Sequence, residues 1–354
     1  MWRQIALRVL ISAYACEPGK GSEPYVGWTW VHAIAQVVDE VHVITRANNR
    51  EPIQQALAGR VVDNLHFHYF DLPKWARFWK KGQQGVQLYY CLWQYALRHI
   101  ALRLHEQYQF DVVHHLTMAG MQYPPGIASL ATVVPFIWGP IGRVYAPPSL
   151  RQHLHWRAKI SEYAHDLLFW VARRDPLVQR AFQVARIILI FPWSIPLRIP
   201  RGKVMRIGNI FIDVDSLPVA NFSNQNQKHS LHLVSAFRMI FLKGADLGLE
   251  ALSRLKKRGM SVYWTLVGDG PERPRWEAMS RRLGVADMVE FRGQISRAEV
   301  LSLMRQGDVL FHPAFREGWS GAVLEGMSMG LPVVCLDWGD LDTSWMKKVG
   351  LRYL

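Results

Sequence analysis

Short apolar runs alternate with helical segments through the second half of the chain, and this alternation constrains the fold more than any other feature. Strands are predicted in the runs LHLVSAF, VYWTLVGDG and MVEFRG, and helices over residues 245–258, 272–283 and 297–305. A further strand, DVLFHP, precedes a helix predicted over residues 320–329, and the run LPVV follows it. Strands that alternate with helices in this way form a doubly wound parallel sheet.

The first half of the chain shows the same alternation. Its strands are predicted at residues 6–13, 41–45, 65–70, 111–115, 134–137 and 187–190. The polar segment 221–228 has no periodicity and is the predicted linker, and 354 residues exceed one ordinary core. We therefore predict an α/β protein with two doubly wound Rossmann-like domains facing a cleft, residues 1–220 and 229–354, with ligands at the carboxyl ends of the strands.

Two glutamates, Glu317 and Glu325, lie on either side of the predicted helix start at residue 320. A helix start carries unpaired N–H groups and a partial positive charge, which suits a phosphate. Carboxylates beside it can accept hydrogen bonds from sugar hydroxyls. A solvated surface carboxylate is the alternative for each acid, but the glycines around them permit close approach of the backbone. The pattern favours a sugar nucleotide.

This segment, REGWSGAVLEGMSMGLPVV, resembles the paired-glutamate motif of glycosyltransferase family 4. Members of that family are retaining enzymes of the GT-B fold. The resemblance implies transfer of a hexosyl group from a nucleoside diphosphate sugar to a hydroxyl of a glycan or lipid-linked acceptor. It also implies that Glu325 binds the nucleotide ribose and that Glu317 binds the donor sugar.

Two cations, Arg238 and Lys243, follow the first strand of the second half. A bidentate arginine and a lysine near a helix start can neutralise a diphosphate, and family 4 has both residues at this spacing; solvated surface cations are the alternative. They would stabilise the leaving group together with the helix start at Ser320 and Gly321. The turns that contain Gly268 and Arg292 resemble the two turns that line the nucleotide base in the family.

The loop after the first strand, CEPGKGSEP, contains Gly19 and Gly21. A dinucleotide fingerprint is excluded because Pro24 occupies the third glycine position and no acid ends the second strand. The loop resembles a form found in family 4 and is predicted to approach donor phosphate or acceptor; a glycine turn without a ligand is the alternative.

His114 and His115 end a predicted strand, and in the family a histidine in this region contacts the donor sugar. Adjacent strand residues point to opposite faces, so only one of the two can do so. A core histidine is the alternative for either.

No metal or resident cofactor is predicted, and the nucleotide sugar acts as a co-substrate. Two Asp-x-Asp patterns, residues 213–215 and 340–342, are discounted as metal sites because such short patterns recur by chance.

Three cysteines, Cys16, Cys91 and Cys335, fit neither a disulfide framework nor zinc spacing, which indicates a reducing cytoplasm. No cleavable leader is predicted at the amino terminus, and no apolar stretch is long enough to cross a membrane.

The formal net charge of +14 calls for a polyanionic neighbour. In residues 73–108, a segment rich in aromatic side chains, six Lys or Arg accompany one Glu. Such a composition predicts an interfacial segment that binds anionic membrane, with residues 153–174 as a second candidate. Core-packed helices are the alternative. Nucleic acid is not predicted as a partner, because no motif that binds it is present.

The chain departs from the family pattern in two places. Residues 142–144 replace the usual glycine run, and no closing helices follow residue 340, so an incomplete second domain is expected. Two function classes remain: an active glycosyltransferase of cell-surface polysaccharide synthesis, and a truncated, non-catalytic relative that binds sugar nucleotide or a partner.

Overall fold

The computed structural model describes residues 6–59, 62–80, 85–118, 120–142, 148–172, 174–191, 201–208, 217, 230–317 and 320–336. Contacts divide the chain into an N-terminal unit, Met1–Arg143 with Glu162–Phe211, and a C-terminal unit, Val144–Ser161 with Ile212–Leu354. The prediction had a single boundary near residue 220, with residues 144–161 in the first domain. The contacts group these residues with the C-terminal unit instead. The predicted linker, residues 221–228, lies outside the described residues.

A parallel sheet of seven strands forms the N-terminal unit, in the order β3-β2-β1-β4-β5-β6-β7. The strands are β1 Arg8–Ser12, β2 Glu40–Arg46, β3 Leu65–Phe70, β4 Val112–His115, β5 Phe136–Ile141, β6 Ile187–Ile190 and β7 Val204–Arg206. The helices are α1 Glu23–Ala35, α2 Arg50–Leu57, α3 Val86–Tyr108, α4 Pro148–Arg151, α5 Trp156–Ala172 and α6 Pro176–Val184. By the contact grouping, α4 and the first residues of α5 belong to the C-terminal unit.

Apolar layers cover both faces of this sheet because alternate strand residues point in opposite directions. Leu10 joins α3 and α6 in one layer, while Val9 and Ile11 join α1 and α2 in the other. The three cysteines are free thiols, and Cys16 is buried.

The C-terminal unit contains a five-stranded parallel sheet in the order β10-β9-β8-β11-β12. Its strands are β8 Leu231–Ala236, β9 Val262–Val267, β10 Val289–Gly293, β11 Val309–His312 and β12 Val333–Cys335. Its helices are α7 Ala245–Lys257, α8 Arg273–Arg282, α9 Arg297–Gln306 and α10 Gly321–Ser328. Leu233 faces α7 and α8, and Val234 faces α9 and α10. Two Rossmann-like parallel sheets are thus confirmed.

Candidate functional site

The loops after β8 and β11 form the candidate site. Strand order runs outward from β8 to β9 and β10 on one side, and from β11 to β12 on the other. All pairs are parallel, so the loops after these strands leave the sheet at one edge. Open α/β sheets bind their ligands at such a reversal of strand order.

A three-residue polar network occupies this position. The Lys243 ammonium, after β8, donates a hydrogen bond to the Glu317 carboxylate, after β11. The same carboxylate oxygen lies 2.7 Å from Nε2 of His312, the buried last residue of β11. Burial alone would raise the pKa of Glu317, but Lys243 and His312 outweigh it and lower that pKa. Glu317 is therefore a carboxylate at neutral pH.

Backbone contacts hold the two loops in register. The N–H of Phe315 donates to the carbonyl of Leu242 over 2.8 Å. Gly244 has a φ of +65°, and a Cβ there would lie 1.9 Å from the Pro313 carbonyl oxygen. Only glycine fits both the left-handed backbone and this close approach. The loops that carry Lys243 and Glu317 consequently form one packed element.

The same two loops carry further groups with positive or partial positive charge. The Arg238 side chain, two residues after β8, is exposed and forms no hydrogen bond or ion pair with the described residues. Helix α10 begins at Gly321, and the Ser320 hydroxyl caps it by accepting a hydrogen bond from Val323 N–H at 3.4 Å. The N–H groups of Gly321 and Ala322 have no partner in the part of the chain that the structure describes. Partial positive charge collects at such a helix start.

Glu325 lies on α10 and is held by a second arginine. Arg297 at the start of α9 donates from Nε and Nη2 to the same oxygen, Oε1, at 3.1 and 2.6 Å. No described residue donates a hydrogen bond to Oε2. One oxygen of this largely buried carboxylate thus keeps its accepting capacity.

The two turns predicted to line a base meet at the carboxyl ends of β9 and β10. Gly268 donates its N–H to the Gly293 carbonyl at 2.8 Å. Its φ is +123°, and a Cβ would lie 2.1 Å from the Phe237 carbonyl oxygen, so a side chain is excluded. The exposed Arg292 pairs with Glu290 at 2.8 Å.

In the N-terminal unit, Gly19 and Gly21 lie on the exposed loop between β1 and α1. Gly19 has a φ of +73°, and a Cβ at either glycine would meet no atom within 4 Å. Glu17 on the same loop pairs with Lys20 at 2.8 Å. The loop leaves β1 beside β4, where this sheet reverses its strand order.

His114 and His115 are both buried at the end of β4, on opposite faces of the sheet. His114 Nε2 lies 2.6 Å from the Gly139 carbonyl, and His115 Nε2 lies 2.9 Å from the Tyr90 hydroxyl. Burial lowers the pKa of His114 to about 4. Burial and then the charge of His114 lower the pKa of His115 to about 3. Both imidazoles are neutral at pH 7, and the sugar contact expected of one of them stays a prediction.

The structure adds two residues that the sequence analysis did not single out, His312 and Arg297. His312 ends a strand that was predicted, and its place at the carboxyl end of β11 was a usable signal. Arg297 follows Ser296, whose capping box with Glu299 fixes the start of α9. The contact of Arg297 with Glu325 had no local signal, because the two residues come from different elements. The two Asp-x-Asp patterns lie outside the described residues.

Part of the predicted basic and aromatic segment, residues 73–108, packs as a core helix. α3 buries Tyr89, Tyr90 and Trp93 against the sheet. Its exposed side chains include the large apolar residues Leu88, Leu92, Tyr95 and Leu102. Just before α3, Trp75 and Phe78 are 78% and 77% exposed.

A second apolar stripe lies on α5, whose exposed side chains include Trp156, Ile160, Tyr163, Leu167 and Trp170. None of the described helices combines the length and the apolar character that a membrane crossing requires.

Residues 228–346 match the family model described as glycosyl transferases group 1. The chain is similar to the gpi3 component of phosphatidylinositol N-acetylglucosaminyltransferase from Schizosaccharomyces pombe, with 28% identity over 123 residues, 34% of this chain and 27% of the relative. It is also similar to the lipopolysaccharide glucosyltransferase WaaG of Escherichia coli, with 37% identity over 93 residues, 26% of this chain and 24% of the relative. The alignments span less than a third of these relatives.

The crystal structure of HepE from Anabaena in complex with UDP superposes with a TM-score of 0.60 and 15% identity. It covers 94% of this chain, which matches 81% of HepE. The similarity of fold extends over nearly the whole chain, and the predicted GT-B fold and resemblance to family 4 are confirmed.

Proposed function

We propose that this chain, whose residues 228–346 match the family model of the glycosyl transferases group 1, moves a hexosyl group from a nucleoside diphosphate sugar to a hydroxyl with retention of anomeric configuration. One observation carries the proposal: Lys243 and Glu317, 74 residues apart, meet where the strand order of the C-terminal sheet reverses. An exposed arginine and an open helix start lie on the same edge. HepE, of similar fold, binds UDP.

The diphosphate is proposed to bind between Arg238, Lys243 and the start of α10. Glycosyl transfer leaves negative charge on the departing phosphate, and donors oriented in advance stabilise charge that develops in a transition state. Arg238 offers a planar fork of N–H groups, and Gly321 and Ala322 offer backbone N–H groups. Arg238 and Lys243 follow β8, and the start of α10 follows β11, so these donors come from the two neighbouring loops at one edge of the sheet.

Lys243 also resolves an electrostatic conflict. Glu317, proposed to bind donor sugar hydroxyls, is anionic, and two anions next to each other repel. An ammonium carries three donors, of which Glu317 takes one, so further donors remain for the phosphate. Lys243 can therefore lie between the carboxylate and the diphosphate and compensate both charges.

Glu325 is proposed to accept hydrogen bonds from the ribose hydroxyls through Oε2. Arg297 holds the other oxygen and so fixes the orientation of the carboxylate. Gly268 and Arg292 are proposed to line the base. In the N-terminal unit, the loop with Gly19 and Gly21, and one of His114 and His115, are proposed to contact donor or acceptor.

The test is an assay of hydrolysis and transfer with the purified chain against UDP-, GDP- and ADP-sugars. We expect turnover of one donor class, lost on Glu317→Gln and retained in Glu250→Gln, whose carboxylate is exposed on α7. Anomeric configuration of the product is read by NMR. If the chain binds a donor but turns over none of the three donor classes, the non-catalytic alternative is supported. If the intact chain binds no donor, both the transferase and the sugar-nucleotide-binding alternative are contradicted.

The acceptor is proposed to be lipid-linked, with the chain at the cytoplasmic face of an anionic membrane. The names of the two curated relatives specify phosphatidylinositol and lipopolysaccharide. On this chain the exposed Trp75 and Phe78 accompany Lys74, and Arg98 lies 3.8 Å from the ring centre of the exposed Tyr95. Aromatic rings beside cations are typical of surfaces that bind at the lipid headgroups.

Vesicle sedimentation tests this attachment. Each Lys or Arg near an anionic surface adds about 1 kcal/mol, so binding should require anionic lipid and weaken with salt. Replacing Trp75 and Phe78 by serine should release the protein. Val37→Ser is the matched control, since Val37 is 78% exposed but lies apart from this segment in sequence. Binding that is indifferent to lipid charge and to the double substitution would contradict the membrane proposal alone.

A further inference from the structure

Three ligand-type side chains converge on the sheet of the N-terminal unit. Glu40 and His42 lie on β2, and His66 lies on β3 directly opposite His42 in the strand register. Residues 40 and 42 point to the same face because side chains alternate along a strand. The donor atoms of the three residues lie within 4.8 Å of one another. The cluster lies toward the amino ends of the strands, away from the edge at which β1 leads into the Gly19 loop.

Distances within the cluster suit a small tetrahedral ion. Glu40 Oε1 is 2.9 Å from His42 Nε2 and 3.5 Å from His66 Nε2. Ligand bonds of 2.0 to 2.2 Å around tetrahedral zinc place donor atoms roughly 3.4 Å apart. The two distances from Glu40 are close to this value, and the donor atoms of the two histidines lie within 4.8 Å of each other. Two imidazoles with one carboxylate favour zinc over magnesium or calcium, which prefer oxygen ligands alone.

Neighbouring groups orient the donor atoms. His42 Nδ1 lies 2.8 Å from Nε2 of His68, which leaves His42 Nε2 directed at Glu40. Arg8 Nε holds the second oxygen of Glu40 at 3.0 Å, so that Oε1 faces the histidines. Outer hydrogen bonds of this kind fix the tautomer and the ring orientation of metal-binding histidines.

Exposure differs across the cluster in a way that allows an ion to arrive. The His42 side chain is 1% exposed, whereas that of His66 is 44% exposed. The Tyr108 ring, 4.2 Å from the His42 ring, covers the inner side. One flank is thus buried, and the other is open to solvent, where a water can occupy the fourth position.

We propose that Glu40, His42 and His66 form a Zn²⁺ site that joins β2 to β3, with His68 as a positioning residue and water as the fourth ligand. The donor set, its spacing and its outer hydrogen bonds support it together. The site is separate from the proposed sugar-nucleotide site in residues and in chemistry, so each can be tested without the other.

Calorimetric titration of the chelator-treated protein with Zn²⁺ tests the proposal. We expect one ion per chain, and no saturable binding of Mg²⁺. Glu40→Gln and His66→Gln should weaken zinc binding at least 100-fold. His68→Ala should weaken it 10- to 100-fold, as for other partners of metal-binding histidines. His99→Gln is the matched control, because His99 is an exposed histidine on α3 and should leave affinity unchanged.

The melting temperature of each variant in chelator shows whether it is folded. In chelator, His66→Gln should melt at the same temperature as the unsubstituted chain. Zinc should raise the melting temperature of the unsubstituted chain and of His99→Gln, but not that of His66→Gln. The proposal is overturned if zinc binding is absent, if it exceeds one ion per chain without saturation, or if His66→Gln and His99→Gln bind zinc equally.

Discussion

Replacing Lys243 by methionine tests the centre of the proposed donor site, because it removes the ammonium and keeps most of the side-chain volume. The side chains of Lys243 and Glu317 are 17% and 12% exposed. Fully exposed pairs contribute about 0–1 kcal/mol, and breaking a buried pair costs about 3–5 kcal/mol. For this intermediate burial we expect a loss of about 1–3 kcal/mol in the free energy of unfolding at pH 7.

The pH dependence of that loss has a definite sign. The pKa of Glu317 is lowered in the folded protein, so its stabilising contribution is present above the ordinary value of 4.5 and disappears as pH falls through the folded pKa. Without Lys243 much of this contribution is absent. Urea unfolding should therefore show a stability gap between the two proteins that narrows as pH falls below about 4.5.

Lys243→Met should also lower the rate of glycosyl transfer, and by more than its loss of stability alone would cause. Removal of one donor that stabilises developing charge lowers kcat by about 10²- to 10³-fold, and we expect that loss at a temperature where the variant is folded. Lys256→Met is the matched control: Lys256 pairs with Asp287 at 2.7 Å, but both side chains are substantially exposed, so neither stability nor transfer should change much. If the two variants show the same affinity for the nucleoside diphosphate of the active donor and the same transfer rate, the assignment of Lys243 is wrong.

Three further substitutions address other parts of the molecule. Glu325→Ala should lose about 1–3 kcal/mol of nucleotide binding, as for a charged hydrogen-bond partner, and unchanged affinity in calorimetry would refute the ribose contact. Gly268→Ala should lower the melting temperature more than Gly284→Ala, since both have positive φ but only Gly268 lacks space for a Cβ. Burial lowers the pKa of His115 from 6.5 to about 3, so the folded state favours the neutral ring, and its contribution to stability is lost as pH falls below 6.5. In His115→Gln the slope of unfolding free energy against pH should be smaller by about 1.4 kcal/mol per unit over that range, and an unchanged slope would contradict a buried neutral imidazole.

The strands of the C-terminal sheet were predicted from their apolar runs, because parallel strands that are buried on both faces are continuously apolar in sequence. β7 was missed: it is a short edge strand whose Met205 is 53% exposed, so it has no such run. β5 was predicted to end at residue 137, yet it continues to Ile141 through Gly139 and Pro140, two residues that normally indicate a turn.

Contacts between separate elements account for what the sequence did not reveal at the sites. Lys243 and Glu317 were each identified from their own loops, but their ion pair depends on the order of β8 and β11 in the sheet. The same holds for Glu40, His42 and His66, which share no linear motif because the register of β2 and β3 brings them together. A candidate site residue can be identified from its own segment of sequence, whereas the residue that it contacts follows only from the order and register of the strands.

Helix α3 carries large apolar side chains on its exposed side as well as on its buried side, and this affects how the protein should be handled and engineered. Its inner face, with Tyr89, Tyr90 and Trp93, supports the core, so polar substitutions there would unfold the N-terminal unit. Its outer face contributes nothing to that core, so Leu88 and Tyr95 can be made polar at little expense in stability. A chain altered only at the outer positions should remain folded in dilute buffer and need less detergent during purification.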